Sequence, residues 1–177
     1  MIIHNKSLLN ITNIIIALNF IIFGIQNQLE NLSLLFGLNI YFFQYHFYYQ
    51  LLTTMFIHGG IAHILMNMII LFQFGTIIEE YLGNLKYFLL YFLGGILTSI
   101  GTLAYMYFTN NWVNVIGASG AICVLLGWFA LKDNYQRKGI IVWILLISFA
   151  PLLLGLPVAW YSHLIGFALG WLMGYII

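Results

Sequence analysis

Six apolar runs, at about residues 8–25, 51–78, 85–108, 115–131, 139–156 and 159–177, occupy most of this chain and decide which solvent it can fold in. A helix needs about 20 residues to cross a bilayer, and each run is close to that length. The five basic and four acidic side chains all fall at or beyond the ends of the runs. With 63% hydrophobic residues, 5% charged and a mean hydropathy of +1.02, the chain cannot cover itself with polar surface in water. An all-α membrane protein of six spans follows, with residues 1–177 as one transmembrane domain. The first run is read as a span because no small-residue cleavage pattern follows it and five more runs do. A net charge of +1 excludes a nucleic-acid partner, which would need clustered Lys and Arg. Cys123 is the single cysteine, so there is no internal disulfide.

Orientation comes from the basic residues, which stay on the cytoplasmic side of short loops. Lys6 precedes the first run, Lys86 lies between the second and third, and Lys132, Arg137 and Lys138 lie between the fourth and fifth. The opposite connections, 26–50, 109–114 and around 157, carry no basic residue. Both termini are therefore expected in the cytoplasm of a multi-pass protein, and the chain's small size points to a bacterial inner membrane. The long connection 26–50 is rich in aromatic residues from Tyr41 to Tyr49, which suits a segment lying at the interface between lipid and water. Pro151 inside the fifth run predicts a kink or an early end.

Under this topology the second, fourth and sixth runs all start from the outer side, and their polar residues lie near those starts. His58, His63 and Asn67 are in the first part of the second run. Ser119, in Gly117-Ala118-Ser119-Gly120, is about one turn into the fourth, and His163 about one turn into the sixth. Polar side chains in spans are expensive, and one shared, outward-facing site accounts for all of them. Two stripes of small residues, Ser119/Cys123/Gly127 and Gly166/Gly170/Gly174, have the spacing that lets helix backbones approach closely in lipid. Packing of the two stripes would make Ser119 and His163 neighbours.

A serine is a weak nucleophile without an adjacent base, and His163 can be that base. Burial disfavours the imidazolium and keeps the ring competent to accept a proton. No carboxylate can serve as a third member. Asp133 is roughly 21 Å along the helix from Ser119, on the cytoplasmic side, and Glu79 and Glu80 are at the inner end of the second run. The chemistry is that of a Ser-His dyad. His63 and Asn67, four residues apart on one helix face, could join the backbone N–H of Ser119 as an oxyanion hole.

Gly117-Ala118-Ser119-Gly120, His58 with His63 and Asn67, Glu79 with Gly83, and His163 with Gly166 and Gly170 together resemble the rhomboid intramembrane serine proteases. The resemblance runs from the second span to the end, in order and spacing. It implies a six-transmembrane-helix rhomboid fold, with Ser119 as nucleophile, His163 as base and His63 and Asn67 in the oxyanion hole. Gly117, Gly120, Gly166, Gly170, His58 and Glu79 would have supporting, structural roles. It also implies a serine endopeptidase that cleaves transmembrane protein substrates near the point where they enter the bilayer, after they pass beside the fifth span. Two departures mark this chain. Some relatives carry a Trp-Arg pair in the first outer loop, which 26–50 lacks, and some have an aromatic ring where this chain has Cys123, leaving Trp160 or Tyr161 to stack on His163.

The residues leave two other readings open: a proteolytically silent relative that binds transmembrane clients, and a small transporter or metal-binding membrane protein using His58, His63 and His163. Three histidines with Glu30 as the one outer carboxylate make a poor metal set, so neither metal nor cofactor is expected.

Overall fold

A computed structural model describes residues 10–155 and 157–177. Lys6, the first residues of the expected 8–25 span and Leu156, the last of the 139–156 span, lie outside the described residues. The helices are α1 (Ile11–Gln26), three short helices α2 (Leu32–Phe36), α3 (Tyr41–Gln44) and α4 (Gln50–Thr53), then α5 (Ile61–Ile70), α6 (Thr76–Leu82), α7 (Asn84–Thr109), α8 (Ser119–Lys132), α9 (Arg137–Leu153) and α10 (Trp160–Met173). A π-turn at Leu71–Gly75 joins α5 to α6 as one 22-residue helix, Ile61–Leu82. That helix and the 26-residue α7 are long and apolar enough to cross a membrane by length and composition, whereas α1 and α8 are apolar but shorter.

Three boundaries differ from expectation. The second run is not one helix from 51: α4 ends at Thr53, residues 54–56 form a 3-10 turn, and a non-helical stretch carries His58 before α5 starts at Ile61. The fourth run becomes helical only at Ser119 rather than at 115, because Val115 and Gly117 are hydrogen-bonded to other segments. Ser119 is thus the first residue of α8, not a residue one turn inside it. The fifth helix ends at Leu153, within a turn of Pro151.

Polarity is inverted relative to a water-soluble domain. Ile14, Ile21, Ile69, Phe72, Leu93, Ile100, Leu145 and Leu146 are exposed on the outer faces of α1, the α5–α6 helix, α7 and α9, while Thr12, Asn19, Glu79, Thr98, Thr102 and Ser148 are buried. Apolar outside and polar inside is the arrangement a lipid solvent selects.

At the centre stands α8, buried without interruption from Ala121 to Ala130. The two small-residue stripes meet here. A Cβ at Gly127 would collide with the Phe167 carbonyl oxygen, one at Gly170 with that of Val124, and one at Gly166 with that of Gly120. Only glycine permits α8 and α10 this approach, in which packing replaces the hydrophobic drive.

Glu79 closes the opposite end. Its carboxylate accepts hydrogen bonds from Ile11 N (2.7 Å), Thr12 N (2.9 Å) and Thr12 Oγ1 (2.7 Å). It satisfies orphan N–H groups of the first turn of α1 and complements the helix dipole. Gly83, at φ +75°, then turns the chain from α6 into α7.

Candidate active site

The site is built on the irregular segment that leads into α8. Leu38 and Val115 exchange two backbone hydrogen bonds (2.8 and 2.9 Å), and the Val115 carbonyl also accepts from Thr54 Oγ1 at 2.7 Å. Gly117 N donates to the Thr54 carbonyl (2.9 Å) and Ala118 N to His58 Nε2 (3.4 Å). These contacts hold residues 115–118 out of the helix and aim the first turn of α8 at a cavity of about 1000 Å3. Gly117 has φ +119°, and a Cβ there would be 2.7 Å from His63 Nε2, so conformation and space both call for glycine.

Ser119 and His163 meet across this cavity. Ser119 Oγ is 2.9 Å from His163 Nε2, although 44 residues separate them in sequence. The α8–α10 glycine contacts set that distance, because His163 is on the same side of α10 as Gly166 and Gly170. His163 is only 9% exposed.

His63 and Asn67 line the same cavity from α5. His63 Nδ1 accepts from Gly59 N at 3.3 Å, so in the neutral ring Nε2 carries the proton and is a donor on the side facing Gly117. Asn67 is turned along its own helix, Nδ2 donating to the His63 carbonyl at 2.8 Å. Its second N–H is left as its remaining donor. His63 and Asn67, expected together in an oxyanion hole, therefore differ in how their donors are placed.

The remaining expected residues have distinct places. His58 is fully buried and off the helix, its backbone paired reciprocally with the Gln26 side chain (2.6 and 3.0 Å) and its ring accepting from Ala118 N. It locks α1 to the approach to α8. A Cβ at Gly120 would meet Thr98 and Ser162 at 3.1 and 3.2 Å. Glu79 is at the far end of the bundle. Trp160 and Tyr161 do not stack on His163 as expected. They pack on Tyr105 and Phe149, with the Tyr105 and Tyr161 rings 4.0 Å apart.

Two features were missed in the sequence. Ser148 Oγ of α9 is 3.3 Å from His163 Nδ1. Ser148 is the one hydroxyl in the 139–156 run, and that isolation was the available signal. The 26–50 connection is anchored by amides instead of a Trp-Arg pair. Asn39 Nδ2 donates to the carbonyls of Leu34 and Gly37 and to Asn114 Oδ1 (2.7, 3.1 and 2.8 Å). Gln50 binds Leu35 O and Asn39 N, and Asn114 reaches Ser33.

A serine hydroxyl hydrogen-bonded to a buried imidazole, at the start of a helix whose first N–H groups lack carbonyl partners, is equipped for nucleophilic acyl transfer. Comparison with known proteins agrees with the family resemblance. A family model described as the Rhomboid domain matches residues 45–177. The chain is 36% identical over 137 residues to RHOMBOID-like protein 4 of Arabidopsis thaliana, covering 73% of this chain and 34% of that protein. It is 30% identical over 136 residues to the putative rhomboid protease YdcA of Bacillus subtilis, covering 73% and 67% of the two chains. Similarity to the rhomboid protease GluP of the same bacterium is 35% over 91 residues, covering 51% of this chain and 17% of GluP. The chain thus spans about a third of the plant relative and two thirds of YdcA.

Proposed function

This chain belongs to the rhomboid family of integral membrane proteins, and from that premise we propose that it is an intramembrane serine endopeptidase cleaving transmembrane proteins with a Ser119-His163 dyad. The observation that carries the proposal is the 2.9 Å contact between Ser119 Oγ and His163 Nε2 inside a cavity bordered by α5, α7, α8, α9 and α10. Names of relatives support it at the level of the family, since YdcA and GluP are described as proteases.

In the proposed reaction Ser119 Oγ attacks the scissile carbonyl carbon while its proton passes to His163 Nε2. The oxygen that gains charge is met by the Ser119 N–H and by His63 Nε2–H, with Asn67 as a further donor after its amide turns from the His63 carbonyl. Collapse of the tetrahedral intermediate breaks the C–N bond, and His163 returns the proton to the leaving amine. Water, deprotonated by the same nitrogen, then releases the acyl group and restores Ser119.

The proposed orientation puts this site toward the outer face. Lys86, Lys132, Arg137 and Lys138 are at the end of the bundle opposite Ser119, where α7 and α9 begin and α8 ends, and Lys86 Nζ reaches the Ile177 carbonyl there. By the positive-inside rule that end, with both termini, is cytoplasmic.

The test is cleavage in proteoliposomes of a panel of single-span membrane proteins. Wild type yields two fragments, and Ser119→Ala yields none. Cleavage by Ser119→Ala equal to wild type would refute the proposal.

A further inference from the structure

The proposed reaction uses one nitrogen of His163 and sets a condition on the other. For Nε2 to accept the Ser119 proton, the neutral ring must carry its proton on Nδ1. A buried Nδ1–H without an acceptor would be costly, and the other tautomer would compete. No carboxylate is available. Asp133 is bonded to Tyr135 N and Gln136 N in the α8–α9 turn, Glu79 caps α1 at the far end, Glu80 is beside it in α6, and Glu30 is exposed in the α1–α2 connection.

Ser148 Oγ is the polar atom beside Nδ1, at 3.3 Å. The ordinary fate of a hydroxyl within a helix is to bond back to its own backbone. Thr76, Thr98 and Thr109 do this, donating to the carbonyl four residues earlier at 2.7–2.8 Å. Ser148, fully buried, is directed instead across the helix interface to the imidazole of α10.

We propose that Ser148 is a positioning residue for His163: its oxygen accepts the Nδ1–H, which leaves the lone pair on Nε2 free for the Ser119 proton, and holds the ring facing Ser119. The proposal rests on the dyad reading above. A neutral acceptor suits the setting, because a carboxylate buried in the bilayer is costly to desolvate. It also ties the base to the position of α9, whose Trp143, Ile147 and Pro151 line the cavity. Displacement of α9 from α10 removes the acceptor and leaves the imidazole free to turn.

The experiment compares wild type, Ser148→Ala and Ser148→Thr in detergent micelles, with two readouts. The first is the 15N spectrum of histidine-labelled protein, in which His163 is assigned by its loss in His163→Gln and the tautomer is read directly. The second is the rate of labelling by a fluorophosphonate. Wild type should show the Nδ1–H tautomer alone. In Ser148→Ala the His163 signals should shift to a mixture of tautomers and labelling should slow about tenfold, the usual weight of one hydrogen bond in a rate. Ser148→Thr, which keeps the oxygen, should restore both. An unchanged tautomer in Ser148→Ala, or labelling slowed alike by Ala and Thr, would overturn the proposal. Wild type that is folded but never labelled would instead count against the dyad reading, while the tautomer comparison would still decide whether Ser148 orients the ring.

Discussion

Gly170 of α10 lies against the Val124 carbonyl of α8 so closely that there is no room for a Cβ between them. This contact, repeated at Gly166 and Gly127, carries the separation of Ser119 and His163. Because the obstructing atoms are backbone, the helices must move apart to admit a larger residue. Gly170→Val should therefore lower stability by about 3 kcal/mol, the upper part of the range for overpacking, and abolish labelling of Ser119. Thermal denaturation and fluorophosphonate labelling check it. A stable, fully labelled Gly170→Val would show that this contact does not set the distance.

Gly117 makes a second, more local prediction. An alanine there would hold φ near +119° under strain and push against His63 Nε2. The cost is roughly 1–3 kcal/mol if the backbone keeps its course. Relaxation of that strain would move the Ser119 N–H and the His63 ring together. Cleavage by Gly117→Ala should fall at least tenfold while the protein still melts cooperatively. Wild-type cleavage rates in this variant would mean that the turn tolerates a side chain.

His63 and Asn67 should differ in weight. His63 already presents Nε2–H toward Gly117, whereas Asn67 donates to its own helix. We expect His63→Ala to reduce kcat on the order of 10² to 10³, the usual loss for one oxyanion donor, and Asn67→Ala to reduce it less. Steady-state kinetics on a transmembrane substrate measure both. A larger loss for Asn67→Ala would reverse the assignment.

Glu79 should affect stability without chemistry. Three donors from α1 converge on its carboxylate, and the residue is buried. Removing the oxygens in Glu79→Ala leaves the Ile11 and Thr12 N–H groups without their carboxylate acceptor, at about 1–3 kcal/mol each, while Thr12 Oγ1 keeps Tyr87 OH as a partner. The melting temperature should drop by several degrees, while labelling of Ser119 at low temperature should persist. Loss of labelling in a variant with an unchanged melting temperature would contradict this division.

What could be read from the sequence follows from how local the signals are. The apolar helices are visible because apolar runs and flanking charge are properties of contiguous residues, and α8 against α10 is visible because small residues recur each turn on one face of each. Ser119 and His163 could be paired on that basis. The residues that the sequence concealed act across long separations with no periodic signature. Val115 is held by Leu38 and Thr54, and Asn39 reaches Asn114 through side-chain amides, so the late start of α8 and the anchoring of the first loop could not be inferred from either segment alone. Ser148 is hidden for a similar reason. A single hydroxyl in an apolar helix reads as bonded to its own backbone until the neighbouring helix is in place.

The most direct test of the central claim is fluorophosphonate labelling of the detergent-solubilised protein, comparing wild type with Ser119→Ala and His163→Ala. It reads activation of the serine without requiring a substrate. The dyad predicts labelling of wild type at Ser119 and none in either variant, with all three proteins folded. Equal labelling of wild type and His163→Ala would contradict it, since a serine that reacts without its imidazole is not activated by that contact.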